Sequence, residues 1–303
     1  MNFIRYSTIY FLISFILIIA SVAALFVFGV RLGPEFTGGS ILEVQYQGAA
    51  PSPEELRTLL SPLGLESLQI QGTGENRVIF RTREIPESSR QQILTSLGDP
   101  PAGKAGNATE LRFESIGPVI GKELRQKTFI IAGLALLVIV AYVAFAFRRT
   151  MGVLAPWHWG VASLLSLFHD VFLPLGLLAF VGSLGEFELN IPVVVALLTV
   201  IGYSINNNIV VFDRVRENLL RRTGFDLQDT VNKSLAQTFV RNMNTSLTTL
   251  IPLAAIFFFG GDTLRGFSLV LMAGIAVGFY SALFFSPSFL VKVFGKAPSP
   301  EKD

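Results

Sequence analysis

The sequence contains no cysteine and only two histidines among its 303 residues. The absence of cysteine excludes disulfides, thiolate metal sites and a cysteine nucleophile, and two histidines are too few for a histidine-based metal cluster. Charged residues make up only 15% of the chain and the formal net charge is +2, so a nucleic-acid-binding surface is not expected. A phosphate-binding loop and the HExxH and GxSxG motifs are also missing, which argues against ATP use and against an enzyme in general.

Hydrophobic residues, by contrast, make up 51% of the chain, which is too many for an ordinary soluble domain of this length. Apolar runs of about 20 residues are long enough to cross a lipid bilayer, and six such runs are present. They lie near residues 8–28, 129–147, 153–181, 191–211, 247–260 with a polar lead-in, and 267–291. The sequence therefore predicts an α-helical membrane protein with six transmembrane helices.

The segment between the first two apolar runs has the pattern of a small α+β domain. Residues 40–46 alternate with period two, and residues 53–60 have the acidic, proline-led start of a helix. A hairpin is predicted from residues 68–71 and 78–81, a second helix over 87–97 and a last strand over 110–116, with residues 99–108 as a loop. The order βαββαβ is the ferredoxin-like pattern. We therefore predict a first transmembrane helix (1–30), a ferredoxin-like domain (31–127), a five-helix transmembrane region (128–294) and a tail (295–303).

Basic residues next to the apolar runs predict the orientation in the membrane, because lysine and arginine favour the cytoplasmic side. The loop of residues 183–190 holds Glu186 and Glu188 but no basic residue, as expected outside the cell. We therefore expect both termini to be cytoplasmic and residues 31–127 to be extracytoplasmic. The basic residues that define the cytoplasmic side are Arg5, Arg148, Arg149, Arg214, Arg216, Arg221, Arg222, Lys233, Lys292 and Lys296.

Polar side chains interrupt the fourth apolar run. Ser204, Asn207 and Asn208 share one helical face by their spacing, and Asn206 lies one residue from it. Hydrocarbon offers no hydrogen bonds, so such groups either line a wet transport pathway or bond to neighbouring helices. The sequence leaves both interpretations open.

The third apolar run carries an acidic residue, Asp170, on one stripe with Ser163 and Ser166. An ionised aspartate at the centre of a span costs about 2.5 to 3.5 kcal/mol on insertion scales. We therefore expect Asp170 to be protonatable, paired or hydrated, with proton handling and a structural role both open. The adjacent His169 either takes part in proton handling or bonds a neighbouring backbone carbonyl.

The polar lead-in of the fifth apolar run contains a basic residue, Arg241, which with Thr245 leads a polar face that continues to Thr248. Arg241 either extends to the cytoplasmic headgroups or turns inward to meet an acid. Asp213, beside Arg214 and other charged residues, is typical of a solvated cytoplasmic helix end with local ion pairs.

Several motifs resemble the SecF family, within the resistance-nodulation-division type of membrane proteins. Residues 33–39 (GPEFTGG) are similar to the family motif GxDFxGG. The later motifs follow in order along nearly the whole chain: 168–170 (FHD), 202–206 (GYSIN), 213–218 (DRVREN), 237–238 (QT), Arg241, 245–249 (TSLTT) and 259–261 (FGG).

The resemblance implies a subunit of the bacterial inner membrane that pairs with SecD in a twelve-span unit. Such a unit uses the proton motive force, with no other cofactor, to draw unfolded secretory polypeptide outward after SecA and the SecYEG translocon have moved it. YajC is a further candidate partner. The two alternatives are a scaffold of the export channel that uses no energy and a small-molecule efflux subunit of the same architecture.

The resemblance implies two proton-linked positions, Asn207 and Arg241. Together with Asp170 they are the candidate proton pathway. The supporting candidates are His169, Ser204, Asn206, Asp213 and Thr245. Two positions depart from the family pattern. Glu35 replaces an aspartate, and Asn207 replaces the aspartate of Asn-Asp-Thr. An amide cannot load and release a proton near neutral pH. Either the coupling relies on Asp170 and a carboxylate of SecD, or Asn207 is an engineered replacement that uncouples the protein.

Overall fold

The computed structural model of the chain describes residues 2–65, 68–73, 76–98, 108–146, 154–184, 187–224 and 226–295. Most of the predicted loop 99–108, most of the predicted tail 295–303 and Glu186 lie outside these residues. The chain divides into two compact units, one formed by Met1–Arg31 with Ile130–Asp303 and the other by Leu32–Phe129. The helices are α1 (Ser7–Phe28), α2 (Pro34–Thr37), α3 (Pro53–Leu60), α4 (Glu87–Gly98), α5 (Pro118–Ala146), α6 (Pro156–Ser183), α7 (Ile191–Leu220), α8 (Leu227–Phe259), α9 (Asp262–Tyr280) and α10 (Ser286–Phe294), and the strands are β1 (Gly39–Tyr46), β2 (Gln69–Thr73), β3 (Arg77–Thr82) and β4 (Ala108–Ile116).

The smaller unit is built on a four-stranded antiparallel sheet with the order β2-β3-β1-β4. Its strands and helices follow one another in the predicted order, β1-α3-β2-β3-α4-β4. Alternate residues of β1, among them Leu42 and Val44, point into a core shared with α3 and α4, as period-two burial requires. The start of α3 is fixed by a capping box, in which Ser52 and Glu55 bond each other's backbone N–H groups.

Two consecutive glycines, Gly38 and Gly39, form the entry to β1. Their φ angles are +74° and +133°, which side chains other than hydrogen disfavour. A Cβ atom at residue 38 would lie 2.7 Å from Cα of Pro118, and one at residue 39 would lie 2.8 Å from the carbonyl oxygen of Thr82. Both glycines are therefore required by backbone conformation and by space.

The larger unit contains the predicted membrane spans, and six helices of the described chain are long and apolar enough to cross a bilayer: Ile4–Phe28, Pro118–Val143, Trp157–Ser183, Ile191–Leu220, Leu227–Phe259 and Leu264–Phe294. The number predicted from the sequence is confirmed. Helix α8 begins well before its apolar run, because a polar cap starts it early. Asp226 accepts a hydrogen bond from the Asp229 amide at 2.7 Å, so the polar lead-in of the fifth span is helical.

Helices α6 and α7, with α9 and its continuation α10, form the buried centre of the larger unit, whereas α5 is almost entirely exposed. The sixth span is not a regular α-helix, because a π-helical turn at Ser281–Phe285 joins α9 to α10. A π-helical turn inside an α-helix is frequently found at a functional site. It faces the polar residues of α6 and α7.

Candidate functional site

The carboxylate of Asp170 lies at the centre of a buried hydrogen-bond network. The side chain has no exposed surface. Its Oδ2 atom accepts hydrogen bonds from the hydroxyls of Ser204 on α7, at 2.5 Å, and of Ser281 in the π-helical turn, at 2.6 Å. Its Oδ1 atom lies 2.9 Å from Nδ1 of His169. Three elements of the bundle therefore supply the polar environment that hydrocarbon cannot.

The network continues away from Asp170 as a chain of donors. The Asn208 amide donates to Ser166 Oγ at 3.0 Å, and Ser166 donates to Ser281 Oγ, also at 3.0 Å. Asn208 donates its other N–H to the carbonyl oxygen of Ser204 at 3.2 Å. Through Ser166 and Ser281, this chain of hydrogen bonds connects the amide of Asn208 to the carboxylate of Asp170.

His169 contacts Asp170 directly, so the alternative of a bond to a neighbouring backbone carbonyl does not hold among the described residues. Its ring stacks on Phe285 with centroids 5.1 Å apart and lies 6.0 Å from the ring of Tyr280. Its Nε2 atom is buried without a hydrogen-bond partner in the part of the chain described. The pair can carry a proton in two ways, because Nδ1 either donates to an ionised Asp170 or accepts from a protonated one.

Asn207 lies beside this network but not in it. The side chain is fully buried, and neither its Oδ1 nor its Nδ2 has a hydrogen-bond partner among the described residues. The hydrogen bond from Asn218 to Ser234, at 2.8 Å, sets the antiparallel register of α7 and α8. Counting residues along both helices from that bond places Asn207 level with Asn242 and Ser246. The Nδ2 atom of Asn242 and the Oγ atom of Ser246 are also buried and have no hydrogen-bond partner among the described residues. Such a set of groups requires ordered water or a polar partner.

Arg241 is not brought to Asp170. Its side chain is exposed on the outer face of α8 and has no partner in the described chain, and Thr245 bonds only its backbone carbonyl, at 2.9 Å. Asn206 is likewise exposed on α7. Asp213 forms an ion pair with Arg216 at 2.8 Å, which agrees with a solvated helix end. The structure thus unites Asp170, His169 and Ser204 and leaves Arg241 and Asn206 on the surface.

Ser281 belongs to the site although the sequence does not predict it. The only signal was a serine inside an apolar run, and serines are common in membrane helices. The π-helical turn that directs the hydroxyl toward Asp170 has no sequence pattern comparable to a helix cap. Only the packing of α9 against α6 and α7 shows the role.

Six helices long and apolar enough to span a bilayer, with a buried, hydrogen-bonded carboxylate inside one of them, define a multi-span membrane protein with an ionisable group in a spanning helix. Residues 101–296 match the family model described as protein export membrane protein SecD/SecF, C-terminal, and residues 23–50 match the SecD/SecF GG motif. The chain belongs to this family, on its SecF side. The two glycines at the start of β1 lie within the GG motif.

Individual relatives agree with this assignment. The protein translocase subunit SecF of Thermobaculum terrenum is 38% identical over 96% of this chain and 93% of its own length. The SecF subunit of Pseudomonas aeruginosa is 34% identical over 96% of this chain and 90% of its own. The crystal structure of SecDF, a translocon-associated membrane protein from Thermus thermophilus, matches with a TM-score of 0.82 and 32% identity over 96% of this chain. The chain spans 38% of the length of that SecDF chain.

Proposed function

We propose that this chain is the SecF-type subunit of an accessory complex that pairs with SecD and uses the proton motive force. The complex assists the movement of unfolded secretory polypeptide through SecYEG after the action of SecA, and Asp170 is the group of this chain that takes up and releases the proton. The observation that carries the proposal is the fully buried carboxylate of Asp170 with hydroxyl donors from two other elements. Asn207 cannot titrate in its place.

The energy available from one proton is sufficient for this role. Moving one elementary charge across a potential of 100 mV is worth about 2.3 kcal/mol. Such a free energy changes a conformational equilibrium by roughly 50-fold. Protonation of Asp170 removes the charge that the hydroxyls of Ser204 and Ser281 stabilise, so it changes the packing free energy of α6 against α7 and the π-helical turn.

SecD is the proposed partner of the outer face of α7 and α8. That face exposes Asn206, Arg241 and Asn244, although its helices are long and apolar enough to span the membrane. Lipid offers these groups no hydrogen bonds, so a second protein is needed to cover them. The exposed side of α5 is different in kind, because it consists of apolar residues such as Ile131, which lipid can cover.

The smaller unit is the proposed extracytoplasmic domain, over residues 31–127, and its strand order β2-β3-β1-β4 supports a ferredoxin-like fold. Residues 1–30 and 128–294 are the proposed transmembrane region of a bacterial inner membrane protein. We propose cytoplasmic termini from the distribution of basic residues. YajC is proposed as a further membrane partner, and no cofactor other than the proton gradient is proposed.

Translocation of a secretory protein into inverted membrane vesicles tests the proposal. Vesicles from cells that carry SecD and this chain should show a part of translocation that an ionophore abolishes. Asp170→Asn keeps the shape of the side chain but cannot lose a proton, so it should remove that part. The matched control is Asp229→Asn, the same change at a first-turn residue of α8 whose surface ion pair with Lys233 contributes little.

The main alternative is a scaffold that uses no energy, and the uncharged Asn207 favours it. A scaffold would support translocation equally with and without the ionophore, and Asp170→Asn would then leave the assay unchanged. The efflux alternative predicts instead that deleting the gene raises the cellular accumulation of small hydrophobic drugs. The vesicle assay and the accumulation assay together separate the three functions.

A further inference from the structure

We propose that Ser281 is a positioning residue for the protonation of Asp170, and that its hydroxyl turns between the Asp170 carboxylate and the carbonyl oxygen of Gly278 when the proton binds and leaves. The inference rests on the proposed function of Asp170 as the protonated group. It assigns a role to a residue that is not among the site residues predicted from the sequence.

The geometry gives the Ser281 hydroxyl two acceptors. Its Oγ atom lies 2.6 Å from Asp170 Oδ2 and 3.2 Å from the carbonyl oxygen of Gly278. A serine hydroxyl has a single proton, so it donates fully to only one acceptor at a time. Its lone pairs meanwhile accept the hydrogen bond from Ser166.

The two acceptors correspond to the two charge states of Asp170. When the carboxylate is ionised, Ser281 donates to it, and the hydrogen bond to a charged acceptor is the stronger one. When Oδ2 carries the proton, it needs an acceptor, and Ser281 Oγ becomes available once its own proton points to Gly278. Ser204 has no second acceptor among the described residues, so its hydroxyl cannot turn in the same way.

The backbone around Ser281 is suited to this role. Ser281 is the first residue of the π-helical turn, and its amide is shared between the carbonyl oxygens of Val277 and Gly278. Gly278 itself lies close to the carboxylate, because a Cβ atom built on it would be 3.5 Å from Asp170 Oδ2. A rotation of the Ser281 hydroxyl therefore changes the hydrogen bonding of the carbonyl group at which α9 passes into the π-helical turn.

The titratable neighbours of this network are His169, in contact with Oδ1 of Asp170, and Tyr280, whose ring lies 6.0 Å from that of His169. Helix α7 contributes hydroxyl and amide groups to the network, from Ser204 and Asn208. A change at Ser281 acts on the other carboxylate oxygen, Oδ2, and leaves the contact between His169 and Oδ1 in place.

Infrared spectroscopy of the complete complex with SecD in lipid nanodiscs tests the inference. The carbonyl stretch of a protonated carboxyl is followed as the pH is lowered, and the part of the band that Asp170→Asn removes belongs to Asp170. In Ser281→Ala the ionised form loses more stabilisation than the protonated form. The pH at which this band reaches half its height should therefore move up by about 1 unit.

Two variants complete the experiment. Ser286→Ala is the matched control, since Ser286 is also buried but donates to the carbonyl oxygen of Ala162 at 3.4 Å. The pH at which its band reaches half height should be that of the wild type. Ser166→Ala, which removes a donor to Ser281, should raise the pH at half height by a smaller amount. This variant tests the inference if Ser281→Ala does not fold. An unchanged pH at half height in Ser281→Ala, or in Ser166→Ala when only that variant folds, would overturn the inference. Absence of any band that depends on Asp170 would instead overturn the proposed function.

Discussion

Gly274 of α9 lies directly against Val200 of α7. A Cβ atom built at residue 274 would lie 2.1 Å from Cγ2 of Val200 and 2.7 Å from its Cγ1. The close approach of these two helices keeps Ser204 and Ser281 within hydrogen-bond distance of the same atom, Oδ2 of Asp170. Packing at Gly274 and hydrogen bonding at Asp170 therefore depend on the same helix separation.

Gly274→Ala should destabilise the helix bundle by about 1 to 3 kcal/mol, the usual effect of inserting a methylene group into a filled core. Thermal unfolding in detergent, followed by helix content, measures the change. Gly160→Ala in α6 is the control, because a Cβ atom there meets nothing within 4 Å and alanine favours a helix over glycine. Equal midpoints for the two variants would show that the contact between residues 200 and 274 is loose.

Asn207→Asp should increase the ionophore-sensitive part of translocation. The new carboxyl would occupy a buried position flanked on α7 by Ser204 and Asn208, two members of the Asp170 network, and would add a second group that can carry a proton. Each further proton adds about 2.3 kcal/mol per 100 mV. Vesicle translocation with a membrane potential and with a pH gradient measures the gain, and Asn207→Leu serves as the uncharged comparison. If Asn207→Asp and Arg241→Ala both leave translocation unchanged, the proton path does not pass this side of α7.

Arg241→Ala should weaken the association of this chain with SecD by about tenfold, the effect of losing one hydrogen bond to a charged group. The reason is that Arg241 is exposed on α8, has no partner among the described residues and would pair with a polar group of SecD. Energy transfer between labelled subunits in nanodiscs measures the affinity. Ile131→Ala on the apolar face of α5 is the control and should leave the affinity unchanged. Identical affinities for the two variants would place SecD on another face.

Tyr46 provides a prediction about the smaller unit at high pH. Burial in the core raises the pKa of its hydroxyl from 10.0 to about 12, because the apolar surroundings disfavour the phenolate. A raised acid pKa in the folded state means that the stabilising contribution is complete below about pH 10 and is lost as the pH rises from about 10 toward about 12. The β-sheet component of the amide I infrared band should therefore melt at lower temperature as the pH rises through this range.

Tyr46→Phe removes the ionisable hydroxyl and should reduce that loss of stability. The substitution should be tolerated at neutral pH, since the hydroxyl has no hydrogen-bond partner in the described part of the chain. The difference between the tyrosine absorbance titrations of the two proteins isolates Tyr46. A midpoint near the ordinary tyrosine value, together with equal melting at high pH, would show that the hydroxyl reaches solvent.

The features predicted best from the sequence are those that residues close together in the chain determine. Helix α3 begins after the capping residue Ser52 and ends at Leu60 as expected, because its cap lies within the segment itself. The buried position of Asp170 followed from its place within an apolar run. The direction of Ser281 did not follow, because a π-helical turn depends on packing between helices distant in sequence. The separation of Arg241 from Asp170 could not be predicted from the local sequence either, since it depends on which face of α8 packs against the other helices.

The most direct test of the central claim is proton uptake by liposomes that hold this chain with SecD. A membrane potential is imposed, and a trapped pH-sensitive dye reports the protons that enter. The wild-type pair should acidify the lumen, and Asp170→Asn should reduce uptake to that of liposomes without protein, while Asp229→Asn should match the wild type. Uptake that is the same in Asp170→Asn and in the wild type would contradict the claim that the buried carboxylate of Asp170 carries the proton.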